Sequence, residues 1–260
     1  MGQPLVTCKV QDSIARVEIN NPPMNALDMD TRLALDDVFM ELEQDCDQVR
    51  AVVLSGAGDR AFVAGADIKA FVDLTPETAL ERLRKTHQIF CRVESYRWPV
   101  IAAIHGFCLG GGLELALCCD VRLASDDAVF GFPEVNLSIF PGNGGTARAL
   151  YFLGLGRFKE LVYTGRRISA AEAHEYGLVE KVVPRDKLMA EAMDLAAAIA
   201  RRGPLGIAAA KAVINRNRDL ALDESLKTES QAWAGLTETE DIKEGARAFI
   251  EKRKPIYRGR

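Results

Sequence analysis

The spacing of hydrophobic positions changes repeatedly along the chain, and each change marks an element. Ile14 to Ile19 alternates with one polar break and reads as a strand, closed by Asn20-Asn21-Pro22-Pro23. From Met29 to Gln48 the period lengthens: Leu35, Phe39 and Leu42 share one helical face, with Asp28 or Asp30 as the cap. Ala51 to Leu54 is a short buried strand, ended by Ser55-Gly56-Ala57-Gly58. Leu80, Leu83, His87 and Phe90 mark a second amphipathic helix, which stops before Trp98-Pro99. Val100 to Ile104 is wholly apolar, with the length and residue types of a buried strand. The run breaks at His105-Gly106, reaches Gly110-Gly111-Gly112 and passes at once into a helical pattern from Leu113 to Cys119. After Gly165 strands nearly vanish, and helical stretches cover 170–176, 187–202, 205–217, 221–235 and 238–252. Arg202-Gly203-Pro204 is a natural junction, which divides the chain into a core, 1–203, and a C-terminal helical segment, 204–260.

Strand, glycine turn and helix in repeated succession imply an α/β protein. The 260 residues suffice for one large domain or a domain with a small appendage. Hydrophobic content of 48% and charged content of 27% fit a soluble globular chain. A net charge of −4 argues against a general nucleic-acid surface. The one dense basic cluster is the tail, Lys252, Arg253, Lys254, Arg258 and Arg260, which reads as a solvated end or as a phosphate contact. No apolar run reaches the ~18 residues of a membrane span, and the N-terminus lacks signal-peptide character, so no membrane partner is expected. The six cysteines form no C-x-x-C pair and read as small core residues in a reducing, cytoplasmic setting. Three histidines, 87, 105 and 174, show no ligand spacing, so no metal is expected.

The chemistry gathers between Trp98 and Thr146. Three consecutive glycines carry an entropic cost, and the need they answer is close approach of a ligand to bare backbone N–H groups at a helix start. Glu114 falls in the first turn of that helix among Leu113, Leu115, Ala116 and Leu117, where an unpaired charge is costly. Glu134 follows Pro133 in a loop-like stretch. Two carboxylates beside a donor site are the parts needed to form an enolate and move protons around it. Burial beside a second carboxylate raises at least one of the two pKa values.

Five stretches, GFCLGGGLELALCCDVRLAS, FGFPEVNLSIFPGNGGTARAL, AFVAGADIKAF, LVYTGRRISAAEAHEYGLVEKVVP and EGARAFIEKRKP, make the sequence similar to the crotonase (enoyl-CoA hydratase/isomerase) superfamily over nearly its whole length. The resemblance implies a spiral of repeated ββα units with a C-terminal helical trimerisation segment, assembled as a homotrimer or homohexamer. It implies an enoyl-CoA hydratase in which Ala66 and Gly111 give the two N–H groups of an oxyanion hole, with Glu114 and Glu134 as the catalytic pair. Ala64, Asp67 and Ile68 match the segment beside the CoA adenine. Trp233, Phe249 and Lys252 match positions near the substrate end or the CoA phosphates in assembled relatives. The acyl-CoA thioester brings its own CoA, so no separate cofactor is implied. Ser138, Ile139, Phe140 and Asn143 depart from the common hydratase pattern, and Phe140 is placed to reshape the acyl pocket.

Other readings stay open on the residues alone. A Δ3-Δ2 enoyl-CoA isomerase needs the same hole and mainly one base. A non-catalytic RNA-binding or assembly scaffold keeps the fold without the chemistry. Gly142-Asn143-Gly144-Gly145-Thr146-Ala147 formally fits G-x-G-x-x-A, a weak hint of a nicotinamide oxidoreductase. His105 with Cys108 reads either as a packed pair or as a nucleophile with its base.

Overall fold

The computed structural model describes residues 3–44, 48–64 and 71–260. Two sheets meet in it, and the chain passes between them in a regular alternation. Strands β1 (Val6–Gln11), β2 (Ile14–Ile19), β3 (Ala51–Gly56), β5 (Val100–Ile104), β7 (Val121–Ser125) and β10 (Lys181–Val183) lie in that order in the larger sheet. Strands β4 (Ala61–Ala64), β6 (Phe107–Leu109), β8 (Val129–Gly131) and β9 (Arg167–Ser169) form the smaller one. Each strand of the larger sheet from β3 to β7 is thus followed within a few residues by a strand of the smaller. Helices α1 (Met29–Gln44), α2 (Pro76–Ser95) and α3 (Gly111–Ala116) close the successive turns. This is the expected spiral of ββα units, and β2–β3–β5–β7–β10 run parallel throughout.

The apolar patterning explains the layers. β5 is buried at every residue because both its faces are covered. Val100, Ala102 and Ile104 point into the main core with Leu35, Phe39 and Phe90, whereas Ile101 and Ala103 join a second core under α7 (Leu188–Ala200). Asp28 caps α1, accepting from the Thr31 N–H at 2.8 Å. The α2 stripe differs from the expected one. Its core face is Thr86, Ile89, Phe90 and Val93, while Leu80 is 49% exposed and His87 is solvent-facing. The reason is that α2 has a second contact surface: the His87 ring bonds the Gly142 carbonyl at 2.7 Å, and Leu83 also reaches Gly142. Period alone does not say which neighbour an apolar stripe meets.

Helices α4 (Gly145–Arg148), α5 (Leu150–Thr164) and α6 (Ala170–Glu175) follow the small sheet, and α8 (Pro204–Asn217), α9 (Leu222–Leu236) and α10 (Glu240–Ile250) end the chain. α8 is fastened to the core by Lys211, whose buried Nζ donates to the Trp98 carbonyl at 3.0 Å and to Asp120 at 2.7 Å. Glu94 at the end of α2 binds Arg148 and Arg218 together, tying α4 and α8 to the core. α9 buries no residue at all, and Trp233 on it is 65% exposed. Among the described residues no helix is long and apolar enough to cross a membrane.

Removing one partner of a buried ion pair leaves the other charge uncompensated. Lys211→Ala is expected to cost about 2 to 4 kcal/mol, the lower end because solvent still reaches part of Asp120. Chemical denaturation checks this; a loss below about 0.5 kcal/mol, the size of an ordinary surface change, contradicts it.

Candidate active site

The parallel run β4–β6–β8 brings three strand ends to one edge of the small sheet. Ala64, at the end of β4, pairs with Leu109, at the end of β6; Gly131 closes β8 beside it. β6 leads through Gly110 into α3, and β8 leads through Phe132 into a 3-10 turn, Pro133–Leu137. The strand ends Ala64, Leu109 and Gly131, far apart in sequence, are therefore neighbours in space. Ala66, Asp67 and Ile68, three of the expected site residues, lie outside the described residues.

The glycine run is required by crowding on both sides. A Cβ on Gly112 would stand 2.2 Å from the Val63 carbonyl oxygen, so α3 packs on β4 with no room for a side chain. Gly110 has φ +54°, and a Cβ there would reach within 3.1 Å of Glu134 Oε1. Gly111, buried, is the first residue of α3, where a backbone N–H has no acceptor within the helix.

Glu114 is completely buried, as its apolar neighbours in sequence imply. Its carboxylate is held by one loop. Oε1 accepts from the Asn143 N–H at 2.7 Å and the Gly145 N–H at 2.8 Å, and Oε2 accepts from Asn143 Nδ2 at 2.6 Å. Burial pushes the Glu114 pKa up, and the three donors with the nearby Arg32 charge pull against it. Glu134 is the contrast. Its Oε2 is buried without a hydrogen-bond partner among the described residues, and burial, reinforced by the Glu114 charge, pushes its pKa up to about 7. Two carboxylates close enough for one charge to act on the other thus differ sharply in what solvates them. The pair can hold a base and an acid near neutral pH.

Other expected residues fall elsewhere. Phe140 is 65% exposed on the loop before Gly142. Trp233 and Lys252 stand on the outside of the C-terminal helices, and neither joins the carboxylates within one chain. The Gly142–Ala147 loop follows the 3-10 turn with no strand before it, and it binds Glu114, which removes the basis for a dinucleotide reading. Cys108 is fully buried and its thiol is raised well above the ordinary range by that burial, so it is no thiolate nucleophile; His105 beside it is packed and 7% exposed. Two contributors escape the sequence. Arg32 of α1 is buried with its guanidinium donating to Thr86, and an arginine on an amphipathic helix ordinarily signals surface. The Asn143 amide has no signal beyond its departure from the common pattern.

Comparison with known proteins agrees with this geometry. A family profile of enoyl-CoA hydratase/isomerase sequences matches residues 9–260. The short-chain-enoyl-CoA hydratase of Clostridium acetobutylicum is 42% identical over 250 residues, 96% of this chain and 95% of that protein. The crotonyl-CoA hydratase of Syntrophomonas wolfei is 41% identical, covering 95% of each. The crystal structure of an enoyl-CoA hydratase from Bacillus anthracis superposes with a TM-score of 0.94 at 40% identity, over 98% of this chain and 100% of that one. With the two-sheet spiral in place and the similarity running over nearly the full length, the chain belongs to the enoyl-CoA hydratase/isomerase family.

Proposed function

We propose that this protein is an enoyl-CoA hydratase, adding water across the α,β double bond of a 2-enoyl-CoA thioester. The observation that carries the reading is the unequal carboxylate pair: Glu114 saturated with donors, half-buried Glu134 with one buried oxygen unpartnered among the described residues. The Ala66 and Gly111 N–H groups donate to the thioester carbonyl, drawing electron density from the β-carbon. Ionised Glu114 takes a proton from water as its oxygen attacks that carbon. Protonated Glu134 delivers its proton to the α-carbon as the enolate collapses. Two fixed backbone donors facing a developing enolate are worth a great deal, since loss of one typically costs about 10² to 10³ in rate. No further cofactor enters the reaction, because CoA arrives as part of the substrate. An isomerase asks for a single base, and the retention of both carboxylates favours water addition.

The exposed C-terminal surface belongs to the same proposal. Trp233, Phe249 and Ile250 are apolar and largely exposed, Phe249 to 86%. Such a surface fits a homotrimer or homohexamer in which Trp233 and Lys252 approach a neighbouring copy's acyl-CoA. Ala64, Asp67 and Ile68 are assigned to the CoA adenine on the same resemblance. The five described cysteines are free thiols, three of them buried, which suits a reducing compartment such as the cytoplasm.

Assay of the purified protein on a panel of 2-enoyl-CoA thioesters, following loss of the conjugated-thioester absorbance, tests the reading. Glu114→Gln and Glu134→Gln are each expected to lower turnover by about 10² to 10⁴ with acyl-CoA affinity kept within about tenfold. Near-parental turnover in either removes that residue from the mechanism. The pH profile has a definite sign. The working pair holds one proton, so activity in both directions falls as pH rises past about 7 and that proton is lost. A kcat/KM flat to about pH 9 contradicts the acid role of Glu134. In solution, light scattering is expected to give a trimer or hexamer at micromolar concentration, and a monodisperse monomer overturns the assembly.

A further inference from the structure

We propose that the side chain of Asn143 is a positioning residue that holds Glu114 as the ionised member of the pair, leaving the shared proton on Glu134. The inference rests on the hydratase reading and adds to it a residue outside the two carboxylates and the backbone hole. Its ground is the geometry of the loop. The Asn143 N–H and the Gly145 N–H both reach Glu114 Oε1, and any residue except proline at 143 supplies the first of them. The amide contact to Oε2 at 2.6 Å is the donor that depends on the side chain. An amide nitrogen has donors only, and its oxygen turned toward a carboxylate would be repelled, so the contact has one stable orientation. A hydrogen bond to a charged acceptor is about twice as strong as a neutral one, and it favours the charged form.

Among the described residues nothing comparable serves Glu134 Oε2. A proton shared between the two groups therefore resides on Glu134, the arrangement that water addition requires. The other charged and titratable groups around Glu114 do not reproduce this asymmetry. Arg32 of α1 favours its ionised form but makes no hydrogen bond to it, and Arg32 is itself faced by Arg82 of α2 and by Asp28. His87 of α2 touches the loop through the Gly142 carbonyl, and Arg148, lying against Gly144, is engaged with Glu94.

The test compares the parent with Asn143→Ala and Asn143→Asp. Kinetics on crotonyl-CoA across about pH 5 to 9 are paired with carboxyl-carbon NMR titration of Glu114, assigned with Glu114→Gln. Asn143→Ala keeps both backbone donors. It is expected to hold KM within about threefold, to lower kcat about tenfold and to move the acid limb up by about one pH unit or more. The alkaline limb stays near 7, because it reports loss of the proton from Glu134. Asn143→Asp has the same shape and sets a third carboxyl against Glu114. Its activity at neutral pH is expected to fall at least about 100-fold and to recover partly toward acid, where the new group is protonated and donates.

An Asn143→Ala enzyme whose pH profile superimposes on the parent's, or one that loses only thermal stability, overturns the proposal and makes Asn143 a brace for the loop. Should Asn143→Ala fail to fold by circular dichroism, the isosteric Asp variant decides: activity without acid-side recovery counts against the proposal. If the parent hydrates no enoyl-CoA, the hydratase reading fails, and the NMR arm still shows whether loss of the amide raises the Glu114 titration.

Discussion

A single buried carboxylate orders this molecule. Glu114 sits on a six-residue helix in the middle of the core, where an unsolvated charge would be intolerable. The loop from Gly142 to Gly145 takes the place of water, offering two backbone N–H groups and an amide. That loop must be brought to Glu114 from 29 residues further along the chain. Much of the surrounding structure serves the approach: His87 binds the Gly142 carbonyl, Arg148 lies against Gly144, and Glu94 anchors Arg148 to the end of α2. The same Glu94 holds Arg218, the residue that follows α8, so the C-terminal helices and the loop that binds Glu114 share one ion-pair centre.

The two-sheet spiral gives this chemistry its place. Because β4, β6 and β8 are parallel neighbours, their C-terminal ends lie together on one edge, where β6 leads into α3 and β8 into the 3-10 turn. The strands themselves are short, three or four residues, and buried. They position connections more than they contribute area. The absence of side chains at Gly110 and Gly112 lets α3 lie directly on Val63 and beside Glu134, which brings the two carboxylates within reach of each other's charge. Inequality between them then follows from local solvation. Donors surround one, and among the described residues none reaches Oε2 of the other.

Much of this was legible in the residues. The unbroken run Val100–Ile104 announced a strand covered on both sides, and the apolar neighbours of Glu114 announced a buried carboxylate. The terminal helices were readable to within two residues at each end, since their period is sustained. What escaped had a physical cause in each case. The Leu80–Leu83–His87 stripe obeys a helical period but faces the Gly142 loop and solvent, and period carries no information about the partner. Arg32 is buried because Thr86 and the Glu114 field receive it, contacts between residues far apart in sequence. Asn143 stood out only as a departure, because its bond to Glu114 depends on the path of the intervening chain.

The central claim is that this site adds water to a conjugated thioester, with oxygen going to the β-carbon and the Glu134 proton to the α-carbon. Isotopes read both halves of that statement at once. Crotonyl-CoA turned over in water carrying oxygen-18 and deuterium, then analysed by mass spectrometry with positional assignment, is expected to yield 3-hydroxybutyryl-CoA with one heavy oxygen at the β-carbon and one deuterium at the α-carbon. Recovery of crotonyl-CoA without heavy oxygen, or its conversion only to the unconjugated isomer, would contradict the account.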